Sequence, residues 1–167
     1  VEEIVERDVD LLTVAGDIFD HPRVGVHALL AWRDGVRRVA EHGIPVIAIP
    51  GNHDAGRTSD ALTPTIIPDD VDGVHVVTRP ERILLRAGGE RVTVTCLPFA
   101  PLVSPDAYTL EPDPDADVNV LLLHAAVKSS ALEGEDRLPI FYHGERPLDV
   151  ARHAERGWDV IHAGDWH

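Results

Sequence analysis

Three kinds of residue are scarce in this chain of 167 residues. It has one cysteine, Cys96, no methionine, and only 15 Lys and Arg against 29 Asp and Glu, a formal charge of −14. A lone cysteine excludes an internal disulfide and any Cys-rich zinc module, and it fits a reducing, cytoplasmic setting. No apolar run approaches the roughly 18 residues that a membrane-spanning helix needs, so no membrane partner is expected. The shortage of basic residues argues against broad, sequence-independent binding of nucleic-acid backbone by this segment alone. Without methionine, Val1 is not an initiator, and the chain stops on His167 directly after Gly164-Asp165-Trp166. We read it as an internal piece of a longer protein, in which a targeting segment would lie out of view.

What remains is an ordinary globular composition, 44% hydrophobic, of a length that suits one partial domain over 1–167. Short apolar runs alternate with helical patterns. Val1, Ile4 and Val5 read as the tail of an amphipathic helix, and Val26 to about His42 carries helical spacing with Gly43 at the C-cap position. Apolar runs occupy 11–15, 45–49, 118–123 and 160–163, and Ile83–Arg86 and Arg91–Leu97 flank Gly88-Gly89 as a hairpin. A loop-rich stretch with Pro64 and Pro68, an acidic, proline-rich surface loop over 98–117 and a short helix near Leu148–Arg156 complete the pattern. Runs of this kind between helices predict strands of a largely parallel sheet, an α/β fold.

The informative residues stand at the ends of these runs. Four of the runs finish in Asp17, Asn52-His53, His124 and Asp165-x-His167. In open α/β sheets, ligands bind beyond the carboxyl ends of the strands. Oxygen and imidazole donors gathered there, without thiolate, suit manganese, iron, zinc or similar ions. Gly16, Gly51 and Gly164 permit the sharp turns that aim the next side chain.

Gly16-Asp17-Ile18-Phe19-Asp20, Gly51-Asn52-His53-Asp54, His124 and Gly164-Asp165-Trp166-His167 resemble motifs two to five of the calcineurin-like metallophosphoesterases, with wording nearest to the SbcD-type DNA repair exonucleases. The resemblance implies a four-layered α/β/β/α sandwich, here incomplete at both ends, and a pair of divalent metal ions, manganese first, with iron or zinc as alternatives. It places the bridging carboxylate on Asp17 and the rest of the second metal's shell on Asn52, His124 and Asp165. It also places a ligand of the first metal on His167, the histidine that protonates the leaving group or steadies the transition state on His53, and on Asp20 the position that, in relatives with Asp there, orients that histidine. His21 comes directly after Asp20 and is a candidate for touching substrate.

Two departures stand out. The family's first Asp-x-His motif is missing before Val1, so the chain as given is expected to hold the first metal poorly. Asp165 stands where the family has the first histidine of Gly-His-x-His.

The remaining histidines, His27, His42, His75, His143 and His153, read as surface or packing residues, and His162 as a buried, hydrogen-bonded one. The expected substrate is a phosphodiester, first of all DNA, with the basic surface supplied by the missing ends or by a partner ATPase. The rivals are a small-molecule phosphodiesterase or nucleotidase and a non-catalytic scaffold. The serine/threonine phosphatase branch fits less well, because His21-Pro22 comes after Asp20 where that branch has Arg-Gly.

Overall fold

The computed structural model describes residues 1–55, 63–99, 108, 110–128, 148–149 and 153–165. Two helices, α1 (Glu2–Glu6) and α2 (Val26–Glu41), and nine strands are built from them. β1 (Leu12–Ala15), β2 (Val46–Ile49) and β3 (Val74–Val76) form one parallel sheet, with Leu12 opposite Val46 and Val46 opposite Val74. β4 (Glu81–Ala87) and β5 (Glu90–Leu97) are the expected hairpin, turned at Gly88 and Gly89, whose φ of 58° and 85° suit glycine. β5 then pairs in parallel with β6 (Val118–His124), and β6 with β9 (Val160–Gly164), to make a second sheet. β7 (Val127–Lys128) and β8 (Leu148–Asp149) form a short parallel pair.

The single largely parallel sheet expected from the apolar runs is thus two sheets, one of them mixed. A run buried on both faces needs cover on both faces, and a second sheet supplies it as well as a helix does. Side chains alternate across each strand accordingly. Ala15, Ile47 and Ile49 meet Val92, Val94, Cys96, Val120 and Leu122 between the sheets. On the far side of the first sheet, Val46, Ala48, Val74 and Val76 pack under Val36 and Val39 of α2, with Ile4 of α1 beside them. The outer face of the second sheet, Leu97, Leu121 and Leu123, is covered by Leu110, Leu148 and Trp158. Fully buried side chains such as Ile47 and Leu122 contribute roughly 1.5–3 kcal/mol each by transfer from water.

Other differences from the sequence pattern are local. β3 lies inside the loop-rich stretch, where three residues are too few to show a period. Leu148–Asp149 is a strand where a helix was expected, although His153–Ala154 is helical. Asn119 interrupts the β6 run and is nevertheless buried. Its amide accepts from Asp113 N–H at 2.7 Å and donates to the Asp113 carbonyl at 3.0 Å, so the acidic loop is pinned to the sheet. The same loop holds the start of β5, where the Arg91 guanidinium reaches Asp117 at 3.2 Å and holds its carboxyl below the usual carboxylate range. Much of the 98–117 loop, and the whole of 129–147 with His143, lies outside the described residues.

Cys96 sits between the sheets, and burial pushes its thiol up to about 12. We expect it to resist a disulfide reagent in the native protein at pH 8 and to react within the mixing time once unfolded. Native-state labelling at the rate of a free thiol would contradict this packing.

Candidate functional site

Four strand ends meet at one side chain. His124 closes β6 with its ring buried, and its Nδ1 lies 2.6 Å from the carbonyl oxygen of Ala15, the last residue of β1. A carbonyl only accepts, so Nδ1 carries a proton, and Nε2 is the nitrogen left to face the neighbouring side chains. That nitrogen lies 2.9 Å from Asn52 Oδ1, 3.5 Å from Asp17 Oδ2 and 3.7 Å from Asp165 Oδ1. Asp17 is almost enclosed and Asp165 is 19% exposed.

Why the chain converges there is a matter of space. A Cβ on Gly16 would strike His124 Nδ1 and come within 2.6 Å of Gly51 N. One on Gly51 would strike Asp17 Oδ1, and one on Gly164 would strike the Ala15 carbonyl. Only Gly16, at φ 84°, also needs glycine for its conformation, so Gly51 and Gly164 are explained by close approach and not by turning. Asp17 and Asp165 themselves sit at φ 52° and 130°, uncommon values for residues with a side chain.

Donor chemistry decides what could occupy the crevice. With Asn52 Oδ1 inward, one amide oxygen, two carboxylates and an imidazole nitrogen face one another, a donor set of the kind that suits a cation. With the amide turned, its NH2 donates to Asp17 at 3.1 and 3.2 Å and to His124 Nε2 at 2.9 Å. The spacings of 2.9–3.7 Å compare with ligand–ligand edges of roughly 3.0–3.5 Å around an ion bonded at about 2.1 Å. Among the described residues no three His, Cys, Asp or Glu side chains form a metal site by themselves. The amide of Asn52 is what completes the set, and the residues fit a divalent ion with mostly oxygen ligands.

His53 stands beside this group. Its backbone N–H donates to Asp17 Oδ1 at 2.9 Å, and its Nδ1–H donates to the backbone carbonyl of Asp20 at 3.0 Å. The Asp20 carboxylate is 3.9 Å away and 97% exposed. Asp20 thus faces the ring both through its main-chain carbonyl, at hydrogen-bond distance, and through its carboxylate at 3.9 Å. His21 is exposed, and its ring accepts from the nearby Arg23 N–H at 3.0 Å. It is not brought against the His124 group. His167 and Trp166 lie outside the described residues.

Two neighbours were not assigned roles from sequence. Phe99 sets its ring edge-on to His124, 6.3 Å between centroids, and its N–H donates to the Pro50 carbonyl at 3.2 Å. Asp54 is wholly buried and receives the N–H groups of Phe19, Gly51 and Ile18 at 2.8, 3.1 and 3.2 Å.

His27, His42 and His75 are exposed, whereas His153 is buried. His162 of β9 bonds Thr13 Oγ1 of β1 at 2.8 Å, and burial lowers its pKa below the ordinary 6.5. The unfolded chain therefore takes up this proton more readily than the folded one. Stability is expected to be complete above pH 6.5 and to fall as the pH drops from there through the lower folded value. Melting curves across this range should show the slope flatten in His162→Gln, and an unchanged slope would exclude His162 as its source.

No helix among the described residues is long and apolar enough to cross a membrane. The calcineurin-like phosphoesterase family matches the chain over residues 1–167. The chain is 34% identical over 139 residues to the DNA double-strand break repair protein Mre11 of Methanopyrus kandleri, covering 76% of this chain and 31% of that protein. It is 25% identical to the protein of the same name from Saccharolobus solfataricus, covering 77% and 33%. It is 26% identical to the uncharacterized metallophosphoesterase YhaO of Bacillus subtilis, covering 87% and 35%. The chain spans about a third of the length of these relatives.

Proposed function

Because the chain belongs to the calcineurin-like phosphoesterase family, we propose that it forms the greater part of a two-metal phosphodiesterase site whose substrate is DNA, degraded from its ends. The observation that carries this reading is the approach of Asn52, Asp17 and Asp165 oxygens to His124 Nε2 within 2.9–3.7 Å. Asp17, Asn52, His124 and Asp165 would hold one divalent cation, manganese being the first choice for so oxygen-rich a set, and the motif resemblance assigns Asp17 and His167, the latter outside the described residues, to a second. Two such cations, when bound, supply positive charge for the phosphodiester oxygens and acidify the attacking water.

The protein's own groups do the rest. His124, held by the Ala15 carbonyl through Nδ1, keeps its ring oriented with Nε2 toward Asn52, Asp17 and Asp165. His53 donates a proton to the leaving oxygen, its ring angle fixed by Nδ1–H on the Asp20 carbonyl. Gly16, Gly51 and Gly164 let the loops approach closely enough to bring these groups together.

The charge of −14 favours a second reading, a small-molecule phosphodiesterase or nucleotidase, since a polyanion approaches an acidic surface slowly. The nuclease reading meets this with basic surface from the rest of the protein or a partner ATPase. The test compares a 3′-labelled duplex, a single strand and a panel of cyclic and mononucleotides with the full-length protein and Mn²⁺. Shortening of DNA from its ends supports the nuclease. Brisk turnover of small nucleotides with intact DNA replaces it with the second reading.

A further inference from the structure

Asp54 is 0% exposed, and what its carboxylate meets is backbone. Oδ1 accepts from Phe19 N–H at 2.8 Å, and Oδ2 accepts from Ile18 N–H at 3.2 Å and Gly51 N–H at 3.1 Å. Ile18 and Phe19 come directly after Asp17, whose φ is 52°. Successive N–H groups after a left-handed residue form a concave nest for an anion, and here a carboxylate of the same chain fills it.

The connection runs both ways. The loop after β1 sends the Asp17 carboxylate to His53 N–H, and the loop after β2 sends the Asp54 carboxylate to Ile18 and Phe19 N–H. The Asp54 carbonyl accepts in turn from Thr63 Oγ1 at 3.1 Å, and Thr63 also accepts from Thr65 N–H at the start of the Pro64–Ile66 turn. Asp54 therefore has one anchor in the interior and two loops in its grip.

We propose that Asp54 is a positioning residue whose carboxylate, seated in the amide nest of Ile18 and Phe19, holds Asp17 in its left-handed conformation and so fixes where the Asp17 oxygens point. This rests on the phosphodiesterase reading only for its consequence in catalysis. An amide at this position keeps the volume of Asp54 but turns an NH2 toward one of the backbone donors. Asp54→Asn loses one acceptor edge and the charge that makes the others strong.

The experiment uses the full-length protein and reads three quantities in wild type and Asp54→Asn: hydrogen exchange of the Ile18 and Phe19 amides, Mn²⁺ affinity by calorimetry, and phosphodiester turnover. Expected in the variant are exchange at Ile18 and Phe19 faster by about tenfold or more, with the β2 amides Ile47 and Ile49 unchanged. Mn²⁺ affinity should fall roughly 10–100-fold, as when a group that orients a metal ligand is lost, and kcat should fall more than KM rises. A folded variant with wild-type exchange and wild-type Mn²⁺ affinity overturns the proposal. Should Asp54→Asn fail to fold, the wild type still decides: Ile18 and Phe19 amides as slow as those of β2 support the clamp, and exchange as fast as at exposed His21 overturns it. A wild type that hydrolyses no phosphodiester defeats the functional reading alone, because exchange is measured without substrate or metal.

Discussion

Replacing His53 by alanine is expected to lower phosphodiester turnover by roughly 10²–10⁴ while leaving metal content unchanged. The two halves of that expectation come from two different atoms of one residue. What His53 gives to Asp17 is its backbone N–H, at 2.9 Å, and truncation at Cβ leaves that bond in place. What it gives to the reaction is the ring, 39% exposed and turned by the Asp20 carbonyl. Metal analysis and kcat on the same preparations check both halves. A substrate with a p-nitrophenolate leaving group should suffer less, since that group departs with little need of a proton. Loss of metal together with activity would instead make the His53 ring a ligand. Asp20→Ala serves as the contrast. It removes an exposed carboxylate 3.9 Å from the ring and keeps the carbonyl that holds it, so less than about a tenfold change is expected.

The second large effect belongs to a residue without a side chain. In Gly51→Ala the new methyl group would strike Asp17 Oδ1 and lie 2.5 Å from both Asp17 N and His124 Cε1. None of these can step aside. Asp17 N belongs to the backbone just after β1, and the His124 ring is fastened at 2.6 Å to the Ala15 carbonyl. Overpacking of this kind costs about 1–3 kcal/mol and here forces apart the very groups that approach Nε2. We expect a lower urea midpoint and the loss of measurable Mn²⁺ binding. Gly25→Ala is the control: nothing lies within 4 Å of its Cβ, and as a helix N-cap it should cost less than about 1 kcal/mol. Equal behaviour of the two variants would show that the crowding around Gly51 is not confining.

The strands that carry the site were legible because each is short, apolar and punctuated by a polar residue or glycine at its end. Asp17, Asn52, His124 and Asp165 accordingly stood out as a group from the sequence. How the strands divide into sheets was not legible from the runs themselves, since Ile47 and Leu121, buried alike, give the same signal in either sheet. The four-layered arrangement came from the resemblance of the motifs. β3, with His75 exposed between two valines, was too short to declare itself. Hydrogen bonds to main chain were equally hidden. Sequence could name Asp20 and His53 as neighbours, but whether carboxylate or carbonyl meets the ring depends on the path of the loop. Asp54 stood within its motif without a visible task, because a buried acid whose partners among the described residues are backbone amides leaves no complementary residue type to look for.

The bond between His124 and Ala15 also has a mechanical side. The Ala15 carbonyl belongs to the first sheet and the His124 ring to the second, and Gly164 closes over the same oxygen from a third strand. The crevice is therefore riveted across the seam of the sandwich. A slip of one sheet along the other would strain this rivet together with the Thr13–His162 bond and the packed side chains between the sheets, and would move Nε2 relative to Asn52 and Asp17. The converse also holds: whatever bridges Nε2 to those residues adds shear stiffness to an interior it never touches. Softening the interior at Leu122 or Ile47 should thus blunt the crevice at temperatures where both sheets are still intact.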